Sequence, residues 1–331
     1  MATEMLYQRD IYGKTLVELG KQDQRIVVLD ADLSGSTRTA LFAREFPERF
    51  FNCGVAEQNM MAMAAGLASC GKIVFASTLA MFATGRAWDQ VRNSICYSRM
   101  NVKIVATHAG ITVGPDGATH QALEDIAIMR VIPQMKVVVP CDAPQTAEAI
   151  RAVAAVPGPC YVRLGRAKVP TIEQRPVFTL GQMQCLRPGE DIALIACGIM
   201  VQHALEARRL LDAEGIAAAV YNVPTIKPLD HEALIALSRK YQAVVVCEEH
   251  SMMGGLCGAV AEVLVQTGCH ARVAYVAVQD CFGQSGESDD LLAAYGLMPE
   301  DIVRAARRIK EQTHTSSQGT KHAKPDHSRA G

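Results

Sequence analysis

The chain has 331 residues, of which 49% are hydrophobic, 20% charged and 5% aromatic, with a formal net charge of −1. That length points to about two domains of ordinary size. The composition is globular, with a core to be filled by aliphatic side chains, and the balanced charge lacks the basic excess of a nucleic-acid binder. No apolar run reaches the length of a membrane span. The opening MATEMLYQRD has no basic-then-apolar pattern, so no secretion signal is read and a cytoplasmic location is expected.

Apolar runs alternate with amphipathic stretches along the chain. RIVVLD (25–30), KIVFAS (72–77), VKIVAT (102–107), MKVVVP (135–140) and CYVRL (160–164) read as buried strands. Helical patterns fall between them at 57–70, 81–98, 120–130 and 143–154. The periodicity lapses over 168–190, a stretch with several prolines and glycines that reads as a crossing between domains. A second series follows, with strands at 191–198, 216–223, 242–250 and 271–280 and helices at 200–214, 230–240, 254–267 and 299–311. The expected fold class is therefore α/β, with two domains (1–175 and 185–311), each a mostly parallel sheet flanked by helices. Residues 312–331 turn polar and are expected to form a disordered tail. The eleven cysteines include no C-x-x-C pair, and many sit in strand-like runs, so they are read as buried free thiols. The nine histidines show no zinc-site spacing.

Four stretches carry residues suited to chemistry. In NCGVAEQNMMAMAAGLA (52–68), Glu57 opens a helix. It is either a solvated acid favoured by the helix dipole or a carboxyl set at an apolar corner to serve a ring nitrogen. In STLAMFATGRAWDQVRNSI (77–95), Phe82 is either core or a platform for a flat ring. Arg86 is either a surface cation or a partner for an anion. In ATHAGITVGPDGATHQALEDIAIMR (106–130), a strand ends at His108 and a Gly- and Pro-rich loop leads to Thr119, His120 and Gln121 at a helix start. Such loops at strand ends are where open sheets bind ligands. Asp116 lies in a turn-forming PDG, and Thr119 is a possible helix cap. In VRLGRAKVP (162–170), Arg166 is either a surface residue or a phosphate ligand.

Taken together, these motifs resemble the transketolase family. GVAEQNM is similar to its Gly-Ile-x-Glu-His/Gln block, GPDGATHQALEDIA to its Asp-Gly-x-Thr-His-Gln block, and RIVVLDADLSGSTRT to its Ala-Asp-Leu segment. TIKPLD (225–230) and EEHSMMGGLCGAV (248–260) resemble its C-terminal domain, and the likeness covers roughly residues 6–310.

The resemblance implies a pyrimidine-binding domain for thiamine diphosphate followed by a transketolase C-terminal domain. The implied reaction moves a two-carbon ketol unit from a ketose phosphate to an aldose phosphate. By the same resemblance Glu57 pairs with the aminopyrimidine nitrogen, Phe82 stacks on that ring, and Asp32 and Leu33 lie near the thiazolium. Val55 and Arg86 complete the cofactor-facing set. His108, Asp116 and His120 face the sugar, with His120 and His108 moving hydroxyl protons. Ser36, His108, Arg166 and Arg9 hold the substrate phosphate. Trp88 has no implied role and reads as core.

The family's Gly-Asp-Gly…Asn motif, which holds Mg2+ and the diphosphate, does not occur in this sequence. The resemblance therefore implies that no residue here ligates the metal. It also implies an N-terminal partner subunit that carries the diphosphate-binding domain and Mg2+, in an α2β2 heterotetramer. The run GRAWDQV is nearer to 1-deoxyxylulose-5-phosphate synthase, so half of such an enzyme is an alternative. The β subunit of a 2-oxo-acid dehydrogenase and a non-catalytic scaffold subunit are the others.

Overall fold

The continuous apolar runs become the inner strands of two sheets, because a strand covered on both faces needs apolar side chains on both. This computed structural model describes residues 4–269 and 271–319. In chain order the strands are β1 (Met5–Tyr7), β2 (Ile26–Asp30), β3 (Phe50–Asn52), β4 (Ile73–Leu79), β5 (Val102–Thr107), β6 (Lys136–Val138) and β7 (Cys160–Arg163). Then come β8 (Lys168–Pro170), β9 (Gln184–Arg187), β10 (Ile192–Ala196), β11 (Ala218–Asn222), β12 (Thr225–Lys227), β13 (Ala243–Ser251) and β14 (Arg272–Val278). The α-helices are α1 (Gln8–Gln22), α2 (Ser34–Thr37), α3 (Ala40–Glu45), α4 (Glu57–Ser69), α5 (Trp88–Gln90) and α6 (Asp125–Arg130). They continue with α7 (Ala143–Ala155), α8 (Met200–Asp212), α9 (His231–Lys240), α10 (Leu256–Gln266), α11 (Ser288–Ala294) and α12 (Pro299–Gly319).

The larger sheet has the order β12-β6-β7-β5-β4-β2-β3 and the smaller the order β14-β13-β10-β11-β9. Both are parallel except at one edge each, where β12 and β9 run antiparallel to their neighbours. β12 belongs to the later half of the chain yet extends the sheet of the earlier half. Every residue of β2, β4, β5 and β7 is buried. One aliphatic core runs from Val27, Met60 and Ile104 through Ile195 to Val246 and Val260, continuous across both sheets.

The stretch 168–190 contains no helix. It begins by returning to the start of the chain, where β8 pairs antiparallel with β1. Six of the eleven free cysteines are buried, while Cys70, Cys185 and Cys281 are exposed. Among the described residues no helix is long and apolar enough to cross a membrane.

Three expectations need correction. The helix expected over 81–98 is broken into wide π-type turns at 82–86 and 91–97 around the short α5. The helix expected from 120 begins only at Asp125. Thr119 therefore caps nothing; its hydroxyl lies 2.9 Å from His120 Nδ1 instead. Thirdly, α12 continues through Gly319, so the first part of the expected tail is helical; the remainder, 320–331, lies outside the described residues.

Helix α1 has no counterpart among the expected elements. Two glycines inside it lower its intrinsic helix preference, and packing explains them. A Cβ on Gly13 would stand 2.6 Å from the Arg38 carbonyl oxygen, and one on Gly20 would stand 2.6 Å from the rings of Phe42 and Phe46.

Candidate active site

In the larger sheet β2 has β3 on one side and β4 on the other. The chain's direction of travel across the sheet thus reverses at β2, and such a reversal opens a crevice at the carboxyl ends of the strands. The loops after β2, β3, β4, β5 and β7 all leave from that edge. They carry the residues expected from sequence except Arg9, which lies in the first turn of α1.

Glu57 is the first residue of α4, where the positive end of the helix favours its charge. It is only 1% exposed, and a buried carboxylate is costly unless paired. Its Oε2 accepts from Arg86 Nη1 at 3.1 Å. The Arg86 guanidinium also lies over the Phe82 ring, 4.7 Å from its centre, an arrangement that attracts a cation to the ring face. The His120 ring meets the same phenyl ring edge-on, with centres 5.3 Å apart and planes at 78°. Glu57, Phe82, Arg86 and His120 are therefore one contiguous group. Glu57 is thus not a solvated acid, and Phe82 is half-buried.

A second group gathers beside it. His108 follows β5 and is buried, with a left-handed backbone (φ +57) that a side-chain-bearing residue seldom adopts. Its Nε2 lies 3.4 Å from Arg9 Nη1, and its Nδ1 lies 2.8 Å from the Thr107 hydroxyl. A guanidinium can only donate, so Nε2 accepts and the proton sits on Nδ1. Burial first, then the charges of Arg9 and Arg166, push the His108 pKa down to about 4, against the opposing pull of Asp116. His108 is thus a neutral imidazole. Arg9 Nη1 also reaches the Ser36 carbonyl at 3.4 Å. Burial, with Arg38 nearby, lowers the pKa of Arg9. Arg166 is fixed by donation from Nη1 to the Val113 carbonyl at 2.8 Å. Two guanidinium donors, Arg9 and Arg166, thus stand near a neutral acceptor, His108, while Asp116 stands exposed on the adjoining loop.

Asp32 also has a left-handed backbone (φ +62). Its amide donates to Asn52 Oδ1 at 3.1 Å, and its carboxylate accepts from Asn52 Nδ2 at 2.9 Å. The same Asn52 oxygen accepts from the Gly54 amide at 3.0 Å, so one side chain ties the loop after β2 to the loop leading into Glu57. Val55 on that loop is exposed. Leu33 donates its amide to Asp30 Oδ1 at 2.6 Å.

Asp30 and Asn52 are working residues that the sequence did not single out. Asp30 is fully buried and accepts from Leu33, Thr37 and Thr39, which folds the segment bearing Asp32, Leu33 and Ser36. Burial raises its pKa despite those donors. The available signal was an acid ending an otherwise apolar strand. Among the described residues no group of three or more His, Cys, Asp or Glu side chains gathers as a metal site.

A family model described as transketolase, pyrimidine binding domain, matches residues 4–171, and one described as transketolase, C-terminal domain, matches residues 181–302. A putative transketolase C-terminal section from Methanocaldococcus jannaschii is 53% identical over 304 residues, 91% of this chain and 94% of that one. The 6-deoxy-6-sulfo-D-fructose transketolase subunit SqwH of a Clostridium species is 43% identical, over 92% of this chain and 94% of that one. A solved structure described as a split gene transketolase, inactive beta4 tetramer, matches with a TM-score of 0.86 at 51% identity, over 92% of this chain and 99% of that chain. With family models matching residues 4–171 and 181–302 and a relative 53% identical over 91% of its length, the chain belongs to the transketolase family.

Proposed function

We propose that this chain is the pyrimidine-binding subunit of a thiamine-diphosphate-dependent transketolase that moves a two-carbon ketol unit from a ketose phosphate to an aldose phosphate. The observation that carries the reading is the buried Glu57 carboxylate and the Phe82 ring face, brought together on one guanidinium, that of Arg86. An aminopyrimidine needs both: a carboxyl in the plane of its ring nitrogen and a flat apolar surface below. The residues present therefore fit the pyrimidine end of the cofactor. When bound, thiamine diphosphate supplies a carbon that carries the ketol unit between sugars.

The chain's own residues divide the remaining work. Glu57 holds a proton at the pyrimidine nitrogen, and Phe82 supports the ring. Asp32, Leu33 and Val55, on loops joined by Asn52, line the approach to it. His120, edge-on to Phe82, moves hydroxyl protons of the sugar as its carbon–carbon bond breaks, and Asp116 binds a hydroxyl. Arg9, Ser36, His108 and Arg166 receive the substrate's anionic end. His108 serves there as a neutral orienting group rather than a proton donor, because its Nε2 already accepts from Arg9.

The diphosphate and Mg2+ fall to a partner subunit in an α2β2 assembly. The names of relatives that span little more than this chain's length, a subunit and a C-terminal section, support that division. The test mixes the chain with a subunit that carries the diphosphate-binding domain and follows ketol transfer from xylulose to ribose phosphates, with a sulfonated ketose as a parallel donor. Absence of both transfer and thiamine diphosphate binding would overturn the reading. CO2 release from pyruvate with glyceraldehyde phosphate would replace it with the synthase alternative.

A further inference from the structure

We propose that Glu249, at the end of β13 in the smaller sheet, is a positioning residue for the substrate-facing loop 108–121 of the larger sheet, so that the second half of the chain serves the reaction as a buttress. The kinetic part of this inference rests on the transketolase reading; the structural part does not.

Glu249 is almost fully buried. Its Oε1 accepts from both the Thr112 amide and the Thr112 hydroxyl, each at 2.7 Å. Two donors from one loop residue thus converge on a single oxygen supplied by the other sheet. The second oxygen stands 4.0 Å from Arg163 Nη1. Arg163 in turn donates to Asp125 at 2.8 Å and to the Glu249 carbonyl at 2.9 Å, so the carboxylate is itself held in place. The loop is shaped to receive it. Gly110 has φ +85, and a Cβ there would collide with the Glu249 carboxylate.

The far end of the loop is clamped by the same half of the chain. Gln121 Nε2 donates to the Gln284 carbonyl at 2.9 Å and to the Ile111 carbonyl at 3.1 Å. Ser288 Oγ donates to the Thr112 carbonyl at 3.0 Å. Asp116 and His120 lie between these anchors. A carboxylate accepting charge-assisted hydrogen bonds in a dry site is a strong and directional anchor. Its removal is expected to loosen the loop first and the sheets little, because both sheets retain their own ladders and the common core.

The experiment compares Glu249→Ala, Glu249→Gln and Thr112→Val with the unaltered full chain. Hydrogen exchange in peptides covering 110–121 is expected to speed up about tenfold in Glu249→Ala, the equivalent of one hydrogen bond. Peptides of β4 and β10 should not change. Glu249→Gln keeps one acceptor oxygen and is expected to restore most of the protection. Thr112→Val should show a smaller change in the same direction, and together with Glu249→Gln it keeps the test decisive if Glu249→Ala does not fold.

In the enzyme assembled with its partner, the KM for the ketose phosphate is expected to rise about tenfold in Glu249→Ala, with kcat and thiamine diphosphate affinity little changed. Unchanged loop exchange in all variants, or acceleration spread equally over both sheets, would overturn the proposal. If the unaltered assembly transfers no ketol unit, the transketolase reading fails, and the exchange measurements alone decide the role of Glu249.

Discussion

Arg86 and Glu57 form an ion pair in which the arginine side chain is half exposed and the carboxylate is buried, with 3.1 Å between Nη1 and Oε2. The same guanidinium covers the Phe82 ring. It thus makes with Phe82 and Glu57 the two contacts proposed for a bound aminopyrimidine, and a ring arriving at that face must move it aside.

Two consequences can be measured. Glu57→Ala should lower turnover of the assembled enzyme by about a hundredfold or more, the scale of a lost acid–base group, without unfolding the chain; turnover near the unaltered rate would remove Glu57 from the chemistry. Assembled with the partner, Arg86→Ala should bind thiamine diphosphate at least as tightly as the unaltered enzyme, since no cation needs displacing. Calorimetric titration of thiamine diphosphate into the assembled enzyme measures the affinity. A clearly weaker affinity would make Arg86 a cofactor ligand instead.

Arg166 is held by the Val113 carbonyl at one nitrogen, which leaves the rest of its fork for an anion. Arg166→Ala should raise the KM for phosphorylated sugars about ten- to a hundredfold, the equivalent of one charge-assisted hydrogen bond, with kcat little changed. Steady-state kinetics with phosphorylated and unphosphorylated donors check this. An equal loss with both donors would place Arg166 outside the anion site.

His108 makes stability depend on pH. A histidine in an unfolded chain takes a proton near pH 6.5, whereas the native His108 holds out to about 4 because of burial and its arginine neighbours. Acid therefore favours the unfolded state. The stabilisation is present in full above about pH 6.5 and is lost as the pH falls toward 4. Between pH 8 and pH 5 the unaltered chain should lose about 2 kcal/mol more than His108→Gln. Urea titrations at the two pH values measure the difference; equal losses would show that His108 does not couple to folding.

Asp125 accepts from Arg163 at 2.8 Å and from the Tyr161 hydroxyl at 2.6 Å, all of them buried. Burial disfavours the Arg163 charge, but Asp125 and Glu249 more than offset this and its pKa is raised. Asp125→Ala leaves a buried guanidinium without its main counter-charge, and a loss of about 3–5 kcal/mol is expected. Arg163→Met with Asp125→Leu should cost less than Asp125→Ala alone, as judged by thermal unfolding.

Nine of the fourteen strands were readable in the sequence because they are largely buried, whereas β1, β3, β8, β9 and β12 were missed because they are three or four residues long and lie at sheet edges or in the two-stranded β1–β8 pair, too short for a periodic pattern. Glu57, Phe82 and His120 were readable as candidates because each sits at a change of period, where a strand gives way to a loop or helix. Their mutual contacts were not, since the Glu57–Arg86 pair joins residues 29 apart along the chain. The start of α6 was misplaced by the same limit. Residues 117–121 have turn-forming and helix-capping side chains, but the Gln121 side chain is engaged by Gln284, on the far half of the chain. Glu249 offered no local signal at all, because its partner Thr112 lies 137 residues away.

The three residues of β12 have a consequence for dissecting the molecule. They close the border of the larger sheet by pairing with β6, although they follow the whole of β10 and β11 along the chain. A fragment ending near residue 175 would keep the crevice loops but bare the hydrogen-bonding groups of β6, an edge open to pairing with other chains. Such a fragment is expected to self-associate rather than remain dispersed. The border between the two halves in sequence is thus not a border in space, and the chain is best handled, recombined or transplanted whole.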